Sequence, residues 1–151
     1  MSTVKTVLVK QIDGITFAAQ GDTHHWVMMD GPENFGGANA GSRPKELLLM
    51  ALGGCTGSDV ASILKKKRIP VERLELKITA AMQEEHPQIF TSIHVEYIFY
   101  GEDLDPADLE RAIELSTTKY CSVSAMLKPP LSHSYTIVQQ ERKAVLASEE
   151  A

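Results

Sequence analysis

The hydrophobic positions change period along the chain, and each change marks an element. Near the N-terminus they fall in short β-rich runs, Val7-Leu8-Val9 and Ile15-Thr16-Phe17, parted by Asp13-Gly14, a pair suited to a tight hairpin turn. Gly21-Asp22 predicts a second turn and residues 24–29 a third strand, completing a β-meander over about 4–29. Residues 30–42, DGPENFGGANAGS, have no period and are rich in Gly and Asn, which predicts a loop. The stretch PKELLLMALGGCTGSDVASILKKK is then apolar around its whole circumference and predicts a helix over about 44–67. Pro44 suits its first turn, Ser42 or Arg43 its cap, and Arg68-Ile69-Pro70 its end. A helix apolar on all sides must be surrounded. The sheets of one small subunit cover only part of such a rod, so the pattern points to a second subunit.

Strict alternation follows. Leu74, Leu76 and Ile78 alternate with Glu75, Lys77 and Thr79, and Ile93, Val95 and Tyr97 with His94, Glu96 and Ile98, predicting two strands over about 72–100 with a turn at 84–88. Asp105-Pro106-Ala107-Asp108 reads as a helix start, an aspartate cap followed by proline. Leu109, Ala112, Ile113, Thr117 and Tyr120 give the helix an apolar face, and a short helical turn from Cys121 closes the helical region over about 106–127. A last strand is expected over about 133–139, and the polar tail from Glu141 is expected to be solvated or frayed. Strands joined by turns rather than by repeated crossovers predict an α+β fold with antiparallel sheets, in a single domain spanning 1–151.

Composition narrows the function. A net charge of −5 argues against nucleic acid as a partner, and the basic residues 65–68 complement a helix C-terminus. Charges interrupt every apolar run of the N-terminus, unlike a signal peptide, and no apolar run is expected to span a bilayer, so a cytoplasmic protein without a membrane partner is expected. Two cysteines without CxxC spacing are either small core residues or reactive thiols.

Cys55 and Cys121 are the candidates for chemistry. Cys121, at the start of a short helix among small polar residues, fits a thiol of lowered pKa on local sequence, whereas Asp59, one turn after Cys55, would raise that thiol's pKa. Glycines at 53, 54 and 57 cost helix stability and imply a close approach, by another backbone or by a substrate reaching the sulfur. Other chemistries lack their signatures. His24 and His25 point to opposite faces of a strand without further ligands, Gly36, Gly37 and Gly41 form no phosphate-binding motif, and Ser122 and Ser124 lack a nucleophile elbow. No metal and no cofactor is expected.

The run Pro44-Lys45-Glu46-Leu47-Leu48 through Ala51-Leu52-Gly53-Gly54-Cys55-Thr56, with Asp59-Val60 and residues 64–68, resembles the OsmC/Ohr family, and most its YhfA-like branch. The second half agrees, in His86-Pro87, Phe90, Ile93-His94, and residues 112–116 and 119–127. The resemblance implies an intertwined homodimer, with antiparallel sheets wrapped around a long buried central helix from each subunit. It also implies a cysteine-based reductase of organic hydroperoxides, active in oxidative-stress defence, with Cys55 as peroxidatic thiol, Cys121 as resolving thiol, an external thiol or dithiol as reductant, and no cofactor. Leu48, Met50 and Leu52 would line the peroxide pocket. The family's peroxidases carry a glutamate directly after the proline and an arginine in the N-terminal β region. Here Lys45 follows Pro44, the acid is Glu46, about 100° further round the helix, and no arginine precedes Arg43. Support of the thiolate thus falls to Glu46, Arg43, Lys45 or one of the two adjacent histidines. The competing expectation is a non-catalytic dimer whose apolar cavity holds a small hydrophobic or thiol-reactive ligand.

Overall fold

A computed structural model describes residues 2–127 and 129–139, so the expected tail from Glu141 lies outside the described residues. The chain divides between Met50 and Ala51 into two compact units.

The first unit is a three-stranded antiparallel meander: β1 (Leu8–Asp13), β2 (Thr16–Gln20) and β3 (Val27–Met29), in that order. The hairpin turns where Asp13-Gly14 predicts it, with Gly14 in the left-handed region at φ 50° that its missing Cβ makes accessible. β3 is shorter than expected. His24 takes a positive φ of 59° and donates its N–H to the Gly21 carbonyl, so it belongs to the turn.

The aperiodic segment after β3 is ordered around one carboxylate. Asp30 is buried and accepts four hydrogen bonds, from the Thr16 hydroxyl (3.0 Å) and the N–H groups of Gly31 (2.7 Å), Ala38 (3.0 Å) and Ala40 (3.0 Å). A loop rich in glycine thereby closes on itself: a Cβ on Gly37 would sit 2.0 Å from the Gly31 carbonyl oxygen. The loop delivers the chain to helix α1 (Pro44–Lys66), which starts in this unit and continues in the next. Arg43 is the cap residue; its N–H is taken by the Glu46 carboxylate (2.9 Å), half of a capping box.

The second unit holds the rest of α1, strands β4 (Arg73–Met82), β5 (Phe90–Tyr100) and β6 (Leu131–Val138), and helices α2 (Pro106–Leu115) and α3 (Ser122–Met126). β4 and β5 pair antiparallel as their alternation predicts, and Ile93, Val95, Tyr97 and Phe99 are buried along one face of β5. β6 corrects the all-antiparallel expectation. It pairs with β5 in parallel, Tyr97 opposite Tyr135, because α2 and α3 form a crossover that returns the chain to the same end of the sheet.

α2 begins as its sequence predicts, with Asp105 accepting from the Ala107 N–H (2.9 Å), and buries Leu109, Ala112 and Ile113. Its apolar face does not continue to Tyr120. Residues Ser116–Tyr120 form a π turn, closed by the Cys121 N–H on the Ser116 carbonyl (2.8 Å), which turns Tyr120 outward and keeps Ser116 buried.

α1 also differs from expectation. By length and hydropathy it could cross a bilayer, contrary to the expectation that no run could, and only 28% of its apolar window is buried in this chain. Leu52, Val60 and Leu64 are buried, while Leu48 and Met50 are exposed. Two of its glycines serve the sheet rather than the thiol: a Cβ on Gly53 would meet Ile78 at 2.7 Å, and one on Gly57 would meet Leu76 at 3.0 Å. Gly54 has open space beside it.

Candidate active site

Cys55 lies in the fourth turn of α1, and Asp59, four residues on, shares its face. The crossover brings Cys121 to the same place, as the cap residue of α3. The sulfurs of Cys55 and Cys121 and a carboxylate oxygen of Asp59 lie within 4.8 Å of one another. Both cysteines are free thiols, Cys55 half-buried and Cys121 buried at 4% exposure.

The two sulfurs have different surroundings. Cys55 receives the backbone N–H of Val123, from the first turn of α3, and stands 3.9 Å from the Ser122 hydroxyl. These donors and the neighbouring Cys121 thiol hold the Cys55 pKa below the ordinary thiol value, the Val123 N–H most of all, against the opposing effects of burial and the Asp59 charge. Cys121 accepts the Ser124 N–H, at 3.4 Å. Burial pushes its pKa up, and the neighbouring Cys55 adds to the rise. This reverses the reading from local sequence. The free N–H groups of the short helix act on both thiols, that of Val123 on Cys55 and that of Ser124 on Cys121, but only at Cys55 do the donors prevail over burial.

Behind Asp59 runs a chain of buried hydroxyls. The Ser116 hydroxyl donates to the Asp59 carboxylate (3.0 Å), and Thr56 links it onward, at 2.8 Å to Ser116 and 2.6 Å to the Tyr97 hydroxyl. Each hydroxyl has a single proton and the carboxylate has none, so the direction is determined: Tyr97 donates to Thr56, Thr56 to Ser116, and Ser116 to Asp59. Ser116 owes its place in the chain to the π turn, and burial keeps Tyr97 protonated by raising its pKa.

The expected supporting residues are placed in the first unit. Arg43 donates from its guanidinium to the Asp30 carbonyl (3.1 Å) and to the Asn39 side chain, and Glu46 caps α1. Lys45 lies beside an apolar cavity of about 640 Å³ walled by Val9, Ile15, Phe17 and Met29. Of the residues expected to line a peroxide pocket, Leu52 is buried, whereas Leu48 and Met50 are exposed. Sequence reasoning missed Ser116, Thr56 and Tyr97 altogether, and considered Ser122 only as a hydrolase nucleophile. The spacing of Cys55 and Asp59 on one helix face, and the resemblance that pairs Cys55 with Cys121, pointed to the rest of the cluster.

Comparison with known proteins places the chain in a family. The chain is 42% identical over 135 residues to Protein YhfA of Escherichia coli K12, covering 86% of this chain and 96% of that protein. A crystal structure from Aquifex aeolicus VF5 superposes with a TM-score of 0.81 at 33% identity, over 93% of this chain and 100% of that one. An organic hydroperoxide resistance protein from Elizabethkingia anophelis shares the fold, with a TM-score of 0.65 at 16% identity over 93% of this chain and 100% of that one. Residues 36–136 match the family described as OsmC-like protein, and the chain belongs to that family.

Proposed function

We propose that the protein reduces organic hydroperoxides through Cys55 and Cys121, in oxidative-stress defence. The observation that carries this reading is the pair of free thiols within 4.8 Å, one half-buried among hydrogen-bond donors and the other buried behind it. The Cys55 thiolate attacks the terminal peroxide oxygen; the O–O bond breaks, the alkoxide takes a proton and leaves as alcohol, and Cys55 becomes a sulfenic acid. Cys121 then attacks that sulfur, releasing water and forming a disulfide. A bond length of about 2.05 Å requires the sulfurs to close by less than about 3 Å. An external thiol or dithiol restores both thiols and is itself oxidised to a disulfide. The fold shared with the organic hydroperoxide resistance protein supports the substrate class.

The working unit in this reading is a homodimer in the cytoplasm. Leu48 and Met50 on α1, and Leu8, Val9 and Ile12 on β1, are exposed apolar residues that a second copy would cover.

The test is consumption of cumene hydroperoxide with a dithiol as reductant. The parent is expected to turn over. Cys55→Ser is expected to be inactive, and Cys121→Ser to accumulate a sulfenic acid that dimedone traps. Parent-level turnover by Cys55→Ser would overturn the assignment. The apolar cavity beside Lys45 supports a second reading, a dimer that binds a small hydrophobic ligand without catalysis. Inert thiols at neutral pH and a ligand retained in native mass spectrometry would favour it.

A further inference from the structure

Cys55, Cys121 and Asp59 also have the arrangement of a metal centre. They combine two soft sulfur donors with a hard carboxylate, drawn from α1 and from the start of α3, and all three ligand atoms lie within 4.8 Å of one another. Around a tetrahedral zinc ion, with Zn–S about 2.3 Å and Zn–O about 2.1 Å, neighbouring ligand atoms stand about 3.6–3.8 Å apart. The cluster therefore needs to contract by only about 1 Å, within reach of small side-chain rotations.

The carboxylate is already oriented. One Asp59 oxygen takes the Ser116 hydroxyl at 3.0 Å, Ser116 being held in turn by Thr56 and Tyr97, and the carboxylate still has lone pairs to offer a cation. Orienting partners of this kind fix ligand geometry in metal proteins. Every polar side-chain atom buried among the described residues has a partner, so the hydroxyl chain is satisfied before any ion arrives. Cys55 is half-buried, so a water from its exposed side would complete the set as a fourth ligand.

We propose that Cys55, Cys121 and Asp59 bind a thiophilic divalent cation of the zinc class, with water as the fourth ligand. Thiolates select such ions over magnesium or calcium. A cation held here occupies both sulfurs, so metal occupancy and thiol redox chemistry exclude one another. The site stands whether or not the thiols reduce peroxides: failure of metal-free protein to consume cumene hydroperoxide would sink the peroxidase reading and leave the metal site untouched.

The test is titration of the reduced full chain with Co²⁺ without oxygen, followed by Zn²⁺. One cobalt per chain is expected, with tetrahedral visible bands and a thiolate charge-transfer band that zinc abolishes. Asp59→Asn is expected to weaken binding tenfold or more, and Ser116→Ala, which frees the carboxylate, by about tenfold. Parent-like affinity in both variants would overturn the proposal, since the thiols alone would then be holding the ion. Octahedral spectra in the parent would overturn it as well. Should either variant fail to fold, alkylation of the parent decides: one equivalent of zinc must protect Cys55 and Cys121 together, and protection of one alone refutes the site.

Discussion

Donors from a neighbouring element hold the Cys55 pKa below the ordinary thiol value, and this makes it adjustable one residue at a time. Ser122→Ala removes one of those donors and is expected to slow alkylation of Cys55 by iodoacetamide at a fixed pH below the ordinary thiol range, leaving the fold intact by circular dichroism. Asp30 is the corresponding structural residue. Its four hydrogen bonds, that of the Ala40 N–H foremost, lower its pKa from the ordinary 3.8 to about 2. A depressed carboxylate pKa contributes stability that is complete above 3.8 and is lost as pH falls toward about 2. Asp30→Asn is therefore expected to melt below the parent at neutral pH, with the gap closing as thermal scans are taken toward pH 2. The cysteines and Asp59 were legible in the sequence, because their residue types and helix spacing carry the chemistry. Asp30 was not: one aspartate in an aperiodic segment looks like any other loop acid.

At the scale of elements, the π turn and α1 decide the site. The π turn sets Ser116 against both Asp59 and Thr56, so Ser116→Ala strands a buried Thr56 donor and deprives Asp59 of its partner. A buried polar group left unpaired costs about 1–3 kcal/mol, and a denaturant midpoint lowered to match is the expected result. The glycines of α1 divide into two kinds. Gly53→Ala meets the far end of the Ile78 side chain, so the roughly 1 kcal/mol gain in helix propensity is offset by a rotamer shift, whereas Gly54→Ala meets nothing among the described residues. Helix and strand positions were legible because their apolar periods differ. The parallel partner of β5 was not, since which neighbour a strand joins depends on where a crossover returns it, and no local pattern records that.

For the whole molecule, the exposed apolar residues of α1 and β1 carry the proposed dimer. Sedimentation is expected to give twice the 16.6 kDa chain mass, with a melting temperature that rises with protein concentration. Gly54→Ala tests which surface is covered. If a second copy packs on that side of α1, the added methyl weakens association; if not, the variant gains roughly the helix propensity of alanine, about 1 kcal/mol.

The sequence by itself determined the α+β class, the long apolar helix, the capped start of α2 and the two cysteine motifs, because each depends on residues near one another in the chain. The tertiary structure alone decided which thiol is the more acidic, what orients Asp59 and how β6 joins its sheet. Hydrogen bonds across 41 and 60 positions, from Thr56 to Tyr97 and to Ser116, leave no trace in local periodicity. A helix N-terminus acts on whatever the fold sets before it, and here the fold sets Cys55.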